Sequence, residues 1–486
     1  LHKPFYTLIF LTACFLVLGL ISYVFPEDGI YVNEKIVIRY PTFNSLFNKK
    51  KEVKADISKI IALADEEEVK HEAVVADIKD TSKIKIIERR DTAIRLITNI
   101  QYKNNTKSAM SNFFKALSNI ANEDKSIRIL HYGDSQIEGD RISDYLRLKL
   151  QNQFGGEGPG LVSFMPVAPS VINKMSWNSS WDRYPVFAGK DDRVKHNNFG
   201  ALAHITRFAN YSEIKDTTQI KSAWVKIVTS KNGGPKAADY RKLKLFYGGA
   251  KTKTFVELYE NGSLNNSDSL VAGGNFNIKE FTLNQGPLIQ EFRFKGKDSP
   301  DFYGLSLEGG KGVMVDNFGL RGSSGTFFNQ INYGQLKNFF DYLNTKLIIL
   351  QFGGNSLPYI TTKEQADNFG RYLRAQMLTI KKMAPQASIL VIGPADMSVK
   401  EGTEYVTHPQ LENLRDAIKN TAFELDCAFF DMYDCMGGRN SMVAWVEQGI
   451  GAKDYIHFSS GGARKIAVLL YSSLISDYNS YLKNKN

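Results

Sequence analysis

The chain has 486 residues, 43% of them apolar and 23% charged, which excludes a disordered polypeptide and leaves room for roughly two or three domains. Its 61 basic against 51 acidic residues give a formal charge of +10, a mild bias towards anionic surroundings. No basic helix interleaved with aromatics accompanies that charge, so nucleic acid is not an expected partner, and three cysteines exclude a disulfide framework.

The first element is apolar. Phe5 to Phe25, FYTLIFLTACFLVLGLISYVF, runs 21 residues without a charge, enough to span a hydrocarbon core of about 30 Å. His2 and Lys3 precede it and Glu27 and Asp28 follow, which predicts that the remainder lies outside the cytoplasm, in a periplasmic or extracellular space. A cleaved signal peptide is the alternative, and Leu11-Thr12-Ala13-Cys14 has the look of a lipoprotein box, although the residues after Cys14 stay apolar. Residues 1–26 are assigned to this anchor or signal segment. Residues 27–105, with Lys49-Lys50-Lys51, DEEEVKHE from Asp65 and IKIIERR from Ile84, are assigned to a charged stalk.

Residues 106–204 have α/β texture. Met110, Phe113, Phe114, Leu117 and Ile120 recur at helical spacing. Next, IRILHYGDSQIEGD (Ile127 to Asp140) is an apolar run that ends in Gly-Asp-Ser and gives way to a helical pattern. That places Ser135 at the carboxyl end of a predicted parallel strand, where open α/β sheets carry their chemistry. A helix with Ile142, Tyr145, Leu146 and Leu150 follows, then FGGEGPGL from Phe154, which lacks the Lys-Ser/Thr of a phosphate cradle and reads as a wall near the site. From 205 to 310, short alternating runs (SAWVKIV, RKLKLFY, TFVELYE, LIQEFRF) separated by Gly, Asn, Asp and Ser predict an all-β sandwich. Over 311–486 the α/β texture returns, with strands expected at Val313–Phe318, Lys346–Phe352, Ser388–Ile392 and Ala428–Met432, and helices at Glu364–Met383 and Gln410–Leu425. The β unit is therefore expected as an insertion that splits an α/β domain.

A nucleophilic serine needs a base and an oxyanion stabiliser. His457 stands out among seven histidines because Asp454 precedes it by three residues, so on a helical turn both would share a face. Two loops after predicted strands offer oxyanion donors: Arg321 to Thr326 (RGSSGT), through a glycine N–H, and Gln351 to Ser356 (QFGGNS), through the Asn355 amide. His131 reads as a packed neighbour of the serine strand, and Asp134 as a brace for the serine turn. His196 and His204 lack metal-ligand spacing, so neither a metal nor another cofactor is expected. Trp177, Trp181 and Tyr184 suit either sugar stacking or packing, and Cys427 and Cys435 either a disulfide or burial.

These blocks in this order resemble the SGNH (GDSL-like) hydrolases. Gly133-Asp134-Ser135 matches the first block, Gly322-Ser323-Ser324-Gly325 the second, Gly353-Gly354-Asn355 the third and Asp454-Tyr455-Ile456-His457 the last. The resemblance covers about 126–200 and 312–480. It implies a flavodoxin-like three-layer α/β/α domain with a parallel sheet, and a Ser135–His457–Asp454 triad. The oxyanion hole it implies is built from Ser135, Asn355 and Gly325, with Gly322 as the alternative glycine. Ser356 stands where the family's third block usually has an acid, which leaves the bracing of that loop open. DMYDCMGGRNSMVAW (Asp431 to Trp445), with a β insertion after the serine block, looks like the peptidoglycan O-acetylesterases, which carry a carbohydrate-binding-module-like β domain. That similarity implies an acetylated glycan as substrate and a serine esterase as the activity. An O-acetyltransferase or a non-enzymatic glycan-binding envelope protein are the alternatives.

Overall fold

The computed structural model describes residues 2–26, 29–33, 36–38, 40–43, 54–77, 98–211, 219–284, 286 and 288–485. Its central sheet places five parallel strands side by side in the order Val313–Gly319, Ile127–Gly133, Thr345–Gln351, Ser388–Ile392, Ala428–Phe430. In chain order that is 2-1-3-4-5, the flavodoxin-like arrangement, with its switch point between the first and third strands. These strands read as near-continuous apolar runs because both faces are covered. Alternate side chains divide between two cores. Leu130, Ile348 and Val391 pack with helices Tyr333–Tyr342, Lys363–Met383 and Leu411–Glu424. Ile129, Ile349 and Leu390 pack with Ser111–Ser118, Ser143–Phe154 and the long Ser460–Lys485 helix. The three-layer α/β/α class expected from the sequence is what forms.

Two antiparallel sheets are built between the serine strand and Val313–Gly319. One holds Asn277–Thr282, Lys242–Gly248, Asp301–Glu308, His204–Arg207 and Asp182–Pro185, with Gly160–Val162 paired to Asp301–Glu308. The other runs Ser263–Leu270, Thr254–Glu260, Ile289–Gly296, Lys221–Thr229, Asn173–Trp177. Between them lies a third core that includes Phe164, Trp181, Phe292, Phe294 and Phe302.

The antiparallel strands thus begin at Gly160, well before the border expected at 205. NKMSW and DRYP are too short and too polar to announce strands; they gain their order by pairing with Lys221–Thr229 and His204–Arg207. The glycine loop after Phe154 also departs from expectation. It hugs the outer edge of the central sheet, where a Cβ on Gly160 would stand 2.0 Å from Asp316 Oδ1, and leads into the antiparallel sheet.

The charged stretch at 27–105 is not a simple tether. Ser58–Asp77 is a helix packed against Ser460–Lys485, with Ile57, Ile60 and Ala64 buried in the same core as the central sheet. Its acidic face is held by Arg464 Nε on Glu68 at 2.8 Å, and its His71 Nδ1 meets the Tyr145 hydroxyl at 2.7 Å. An apolar stripe of three residues inside a charged run is too weak to signal docking until its partner helix is present. Ile100–Gln101 then adds an antiparallel edge strand to the central sheet. The Lys49-Lys50-Lys51 run and the segment from Ile84 lie outside the described residues.

Pro4–Val24 is long and apolar enough to cross a membrane, with a mean hydropathy of 2.4 in its most apolar window, and it leaves its large side chains exposed. Cys427 and Cys435 are both buried and are not joined by a disulfide. Of the aromatics weighed for sugar stacking, Trp181 and Tyr184 are buried at 5% and 2% exposure, so their faces serve packing.

Candidate active site

Ser135 sits in the turn that leaves the serine strand at the switch point. The strand ends on Gly133, where a Cβ would stand 3.0 Å from Gln351 O of the neighbouring strand, so the two strand ends close up only around glycine. Asp134 then braces the turn: its Oδ1 accepts the Gln136 N–H at 3.0 Å. Burial pushes the Asp134 carboxyl up to about 6, against the opposing pull of the Gln136 N–H and of His457. Because that value lies above the ordinary carboxylate value of 3.8, the folded state keeps a proton that the unfolded chain has released. Stability then falls as pH rises from about 4 to about 6, by about 2–3 kcal/mol at the usual 1.36 kcal/mol per unit. Asp134→Asn keeps the acceptor for Gln136 and removes the titration. Denaturant melts across this window are expected to show a flatter pH dependence for the variant; an unchanged slope would contradict the assignment.

The Asp454–His457 segment is not a helical turn. Tyr455 has a φ of +58°, and a bridge between Gly451 and Phe458 closes a tight loop. The Asp454 side chain organises it: Oδ1 accepts the N–H groups of Ile456 and His457, each at 3.0 Å, while Oδ2 takes His457 Nδ1 at 2.7 Å. His457 Nε2 lies 2.8 Å from Ser135 Oγ. Burial works to raise the Asp454 carboxyl, but the His457 and Ile456 backbone N–H groups and the imidazole overcome it and hold it below the ordinary value. An ionised Asp454 fixes the hydrogen on Nδ1, which leaves the Nε2 lone pair for the serine hydroxyl. Ser135, His457 and Asp454, distant in sequence, form one hydrogen-bonded row.

The other two loops flank the row. Gly325 has a φ of +75°, and a Cβ there would stand 2.5 Å from the Phe352 ring. Gly322 is also left-handed, at +80°, but open space surrounds it. Only Gly325 is therefore wedged against the end of the asparagine strand. Its N–H donates to Ser323 Oγ at 3.1 Å, and Asn355 Nδ2 donates to Ser323 O at 3.0 Å, so both candidate donors converge on one residue. Ser356 donates its hydroxyl to Ser324 Oγ at 3.0 Å, which ties the asparagine loop to the glycine loop.

The remaining histidines take no part in this row. His131 is buried between Ser143 Oγ at 2.9 Å and Gln351 Oε1 at 3.1 Å, and burial pushes its ring down to about 4. His196 pairs with Asp301 at 2.9 Å, and His204 is buried beside Ser163.

Three supports were not foreseen from the sequence. Gln136 Nε2 donates to Ile456 O at 2.7 Å, which clamps the histidine loop to the serine turn; its place next to Ser135 was the available signal. Arg321 Nε donates to Glu138 at 2.7 Å and ties the second block to the same turn. Trp445, at the end of DMYDCMGGRNSMVAW, backs the loop through the Phe458 ring at 5.3 Å and through its carbonyl, which accepts the N–H groups of Ile450 and Gly451.

Residues 268–470 match the GDSL-like lipase/acylhydrolase family. The matched segment takes in Gly325, Asn355, Asp454 and His457, whereas Ser135 precedes it across the insertion. No curated protein matches in sequence. Among solved structures, a peptidoglycan O-acetylesterase is similar at 21% identity and a TM-score of 0.58, over 78% of this chain and 99% of that one. A family two carbohydrate esterase from Clostridium thermocellum aligns over 53% of this chain and 92% of its own, at 10% identity and a TM-score of 0.24. An acetyl xylan esterase aligns over 33% and 81%, at 16% identity and a TM-score of 0.26.

Proposed function

We propose that this chain, whose α/β unit is an SGNH hydrolase domain, is a serine esterase that removes O-acetyl groups from a cell-envelope or extracellular glycan such as peptidoglycan. The observation that carries the reading is the unbroken row of contacts, 2.8 Å from Ser135 Oγ to His457 Nε2 and 2.7 Å from Nδ1 to Asp454. His457 takes the hydroxyl proton as Ser135 Oγ attacks the ester carbonyl, and the imidazolium that forms is stabilised by Asp454. The N–H groups of Ser135 and Gly325 and the Asn355 amide receive the oxyanion. Collapse of the tetrahedral intermediate expels the sugar alkoxide, which takes its proton from His457. Water then repeats the sequence on the acetyl-serine and releases acetate.

Gly325 gives up its bond to the Ser323 hydroxyl when the oxyanion forms, so the Arg321–Thr326 loop has to adjust by a small amount in the reaction. Asn355→Ala removes one of three donors. It is expected to lower kcat by about 10²- to 10³-fold with KM little changed. Aryl acetate kinetics check this, and a loss confined to KM would place Asn355 outside the oxyanion hole.

The His457 and Asp454 side chains are 30% and 47% exposed, so water reaches the row. That openness favours hydrolysis over transfer of the acetyl group to a second sugar. The peptidoglycan O-acetylesterase likeness supports a glycan ester, and the apolar N-terminal helix supports a membrane anchor that leaves the catalytic part outside the cytoplasm. Incubating the protein with an acetylated glycan and an acceptor glycan, and comparing free acetate with acetylated acceptor, tests hydrolysis against transfer. Fluorophosphonate labelling of wild type but not Ser135→Ala tests it against a non-enzymatic glycan binder.

A further inference from the structure

A cleft of about 90 Å³ opens where the antiparallel sheets meet the serine turn. Its lining joins Glu138 to Asp140, just after Ser135, and Gly319 and Leu320, next to the serine strand, to Ser163, Asn173, Arg183 and His204 of the insertion. Ser135 and the cleft are thus connected through one turn.

Two of the polar groups on the insertion side, Arg183 and Asn173, have donors without an acceptor. Arg183 makes no ion pair among the described residues, its Nε is buried without a hydrogen-bond partner, and loss of solvent pulls its guanidinium down to about 10. Among the described residues, its Nη2 meets His204 Nδ1 at 3.4 Å. That nitrogen already faces Leu202 O at 2.8 Å, while Nε2 faces the Ser163 hydroxyl at 2.7 Å. A neutral imidazole satisfies both contacts only with its hydrogen on Nδ1, so Nδ1 has no lone pair for the guanidinium. Burial and the nearby Arg183 charge keep His204 neutral. Across the cleft the charges are otherwise matched: Arg147 holds Asp140 at 2.8 Å, and Arg321 holds Glu138. Asn173 is buried with neither atom of its amide partnered. What remains, among the described residues, is a guanidinium that lies over the Phe187 ring at 5.7 Å but has no acidic partner, and one amide without a hydrogen-bond partner; Arg147 Nη1 is likewise unpartnered. A half-buried guanidinium without an acidic partner is stabilised by a ligand that supplies one.

We infer that Arg183 and Asn173 form a carboxylate subsite, and that the ester-bearing glycan is acidic, presenting a carboxylate to this cleft while its acetyl group lies at Ser135. The identity of the bearer rests on the glycan-ester reading above. A carboxylate accepts from a guanidinium through two oxygens, so the subsite would orient the sugar as well as attract it, with the Asn173 amide lining the same cleft.

The test is a binding measurement on full-length protein carrying Ser135→Ala, so that no ester is consumed. Calorimetry compares an O-acetylated peptidoglycan oligosaccharide that bears free carboxylates with the same material after its carboxylates are converted to amides. The acidic form is expected to bind at least about tenfold more tightly, adding Arg183→Gln is expected to erase that difference, and Arg183→Lys to restore part of it. Equal affinity for the two forms, or a preference that survives Arg183→Gln, would overturn the subsite. Should Arg183→Gln fail to fold, the comparison of the two glycans on the Ser135→Ala protein still decides. Addition of free acetate separates the sources: it is expected to leave the preference intact, whereas competition at millimolar acetate would assign the subsite to the released product and overturn the glycan assignment. Because no turnover is read, failure of the esterase reading would appear separately, in acetate release by wild type.

Discussion

Ser135→Ala is expected to lower ester hydrolysis by about 10⁴- to 10⁶-fold, to background set by the oxyanion donors and substrate binding alone. The size follows from the geometry. The hydroxyl is the atom that forms the bond, and no other serine or cysteine lies in the row with His457. The fold should survive, because the Ser135 side chain is half-buried and, among the described residues, its hydroxyl bonds only to His457, itself partly open to water. Aryl acetate kinetics with a thermal melt check both halves. A melting temperature within a few degrees of wild type and near-full activity would mean that the nucleophile is elsewhere.

Asp454→Asn is expected to lower kcat by about 10⁴-fold while KM changes little. A carboxamide oxygen at Oδ1 can still accept the Ile456 and His457 N–H groups, so the loop keeps its shape. Its NH₂ group then faces His457 Nδ1, where the carboxylate oxygen had been. That neighbour favours the tautomer with the hydrogen on Nε2, which points a donor at Ser135 and removes the base. Nitrogen-15 spectra of the imidazole would report the tautomer directly. A loss of less than about tenfold, with the tautomer unchanged, would show that Asp454 only holds the loop.

The Ser135–His457–Asp454 row and the Asn355 loop beside it were legible because each part is carried by a short block with its own chemistry: Gly-Asp-Ser at a strand end, Asp-x-x-His after the last strand, and Asn355 past an apolar run. The route by which Asp454 reaches His457 was not, since the spacing suggests a helical turn and the chain instead uses a left-handed Tyr455 with backbone N–H groups on the carboxylate. The parallel strands were readable from composition, because a strand covered on both faces is apolar throughout. Asn173–Trp177 and Asp182–Pro185 were not, because pairing and a shared core, rather than their own residues, make them strands. The same holds for Ser58–Asp77, whose few apolar residues become a docking face only against Ser460–Lys485. Ser163, Arg183 and His204 are separated by stretches of unremarkable sequence, and only strand pairing within one antiparallel sheet brings them to one cleft.

The central claim is that Ser135 hydrolyses acetyl esters on an envelope glycan. Acetate released from O-acetylated peptidoglycan, measured for the full chain beside Ser135→Ala and beside peptidoglycan stripped of its acetyl groups by mild base, tests it most directly. The account predicts release by wild type from the acetylated polymer, and none above background in either control. Turnover of an aryl acetate without acetate release from peptidoglycan or any other acetylated polysaccharide would contradict it.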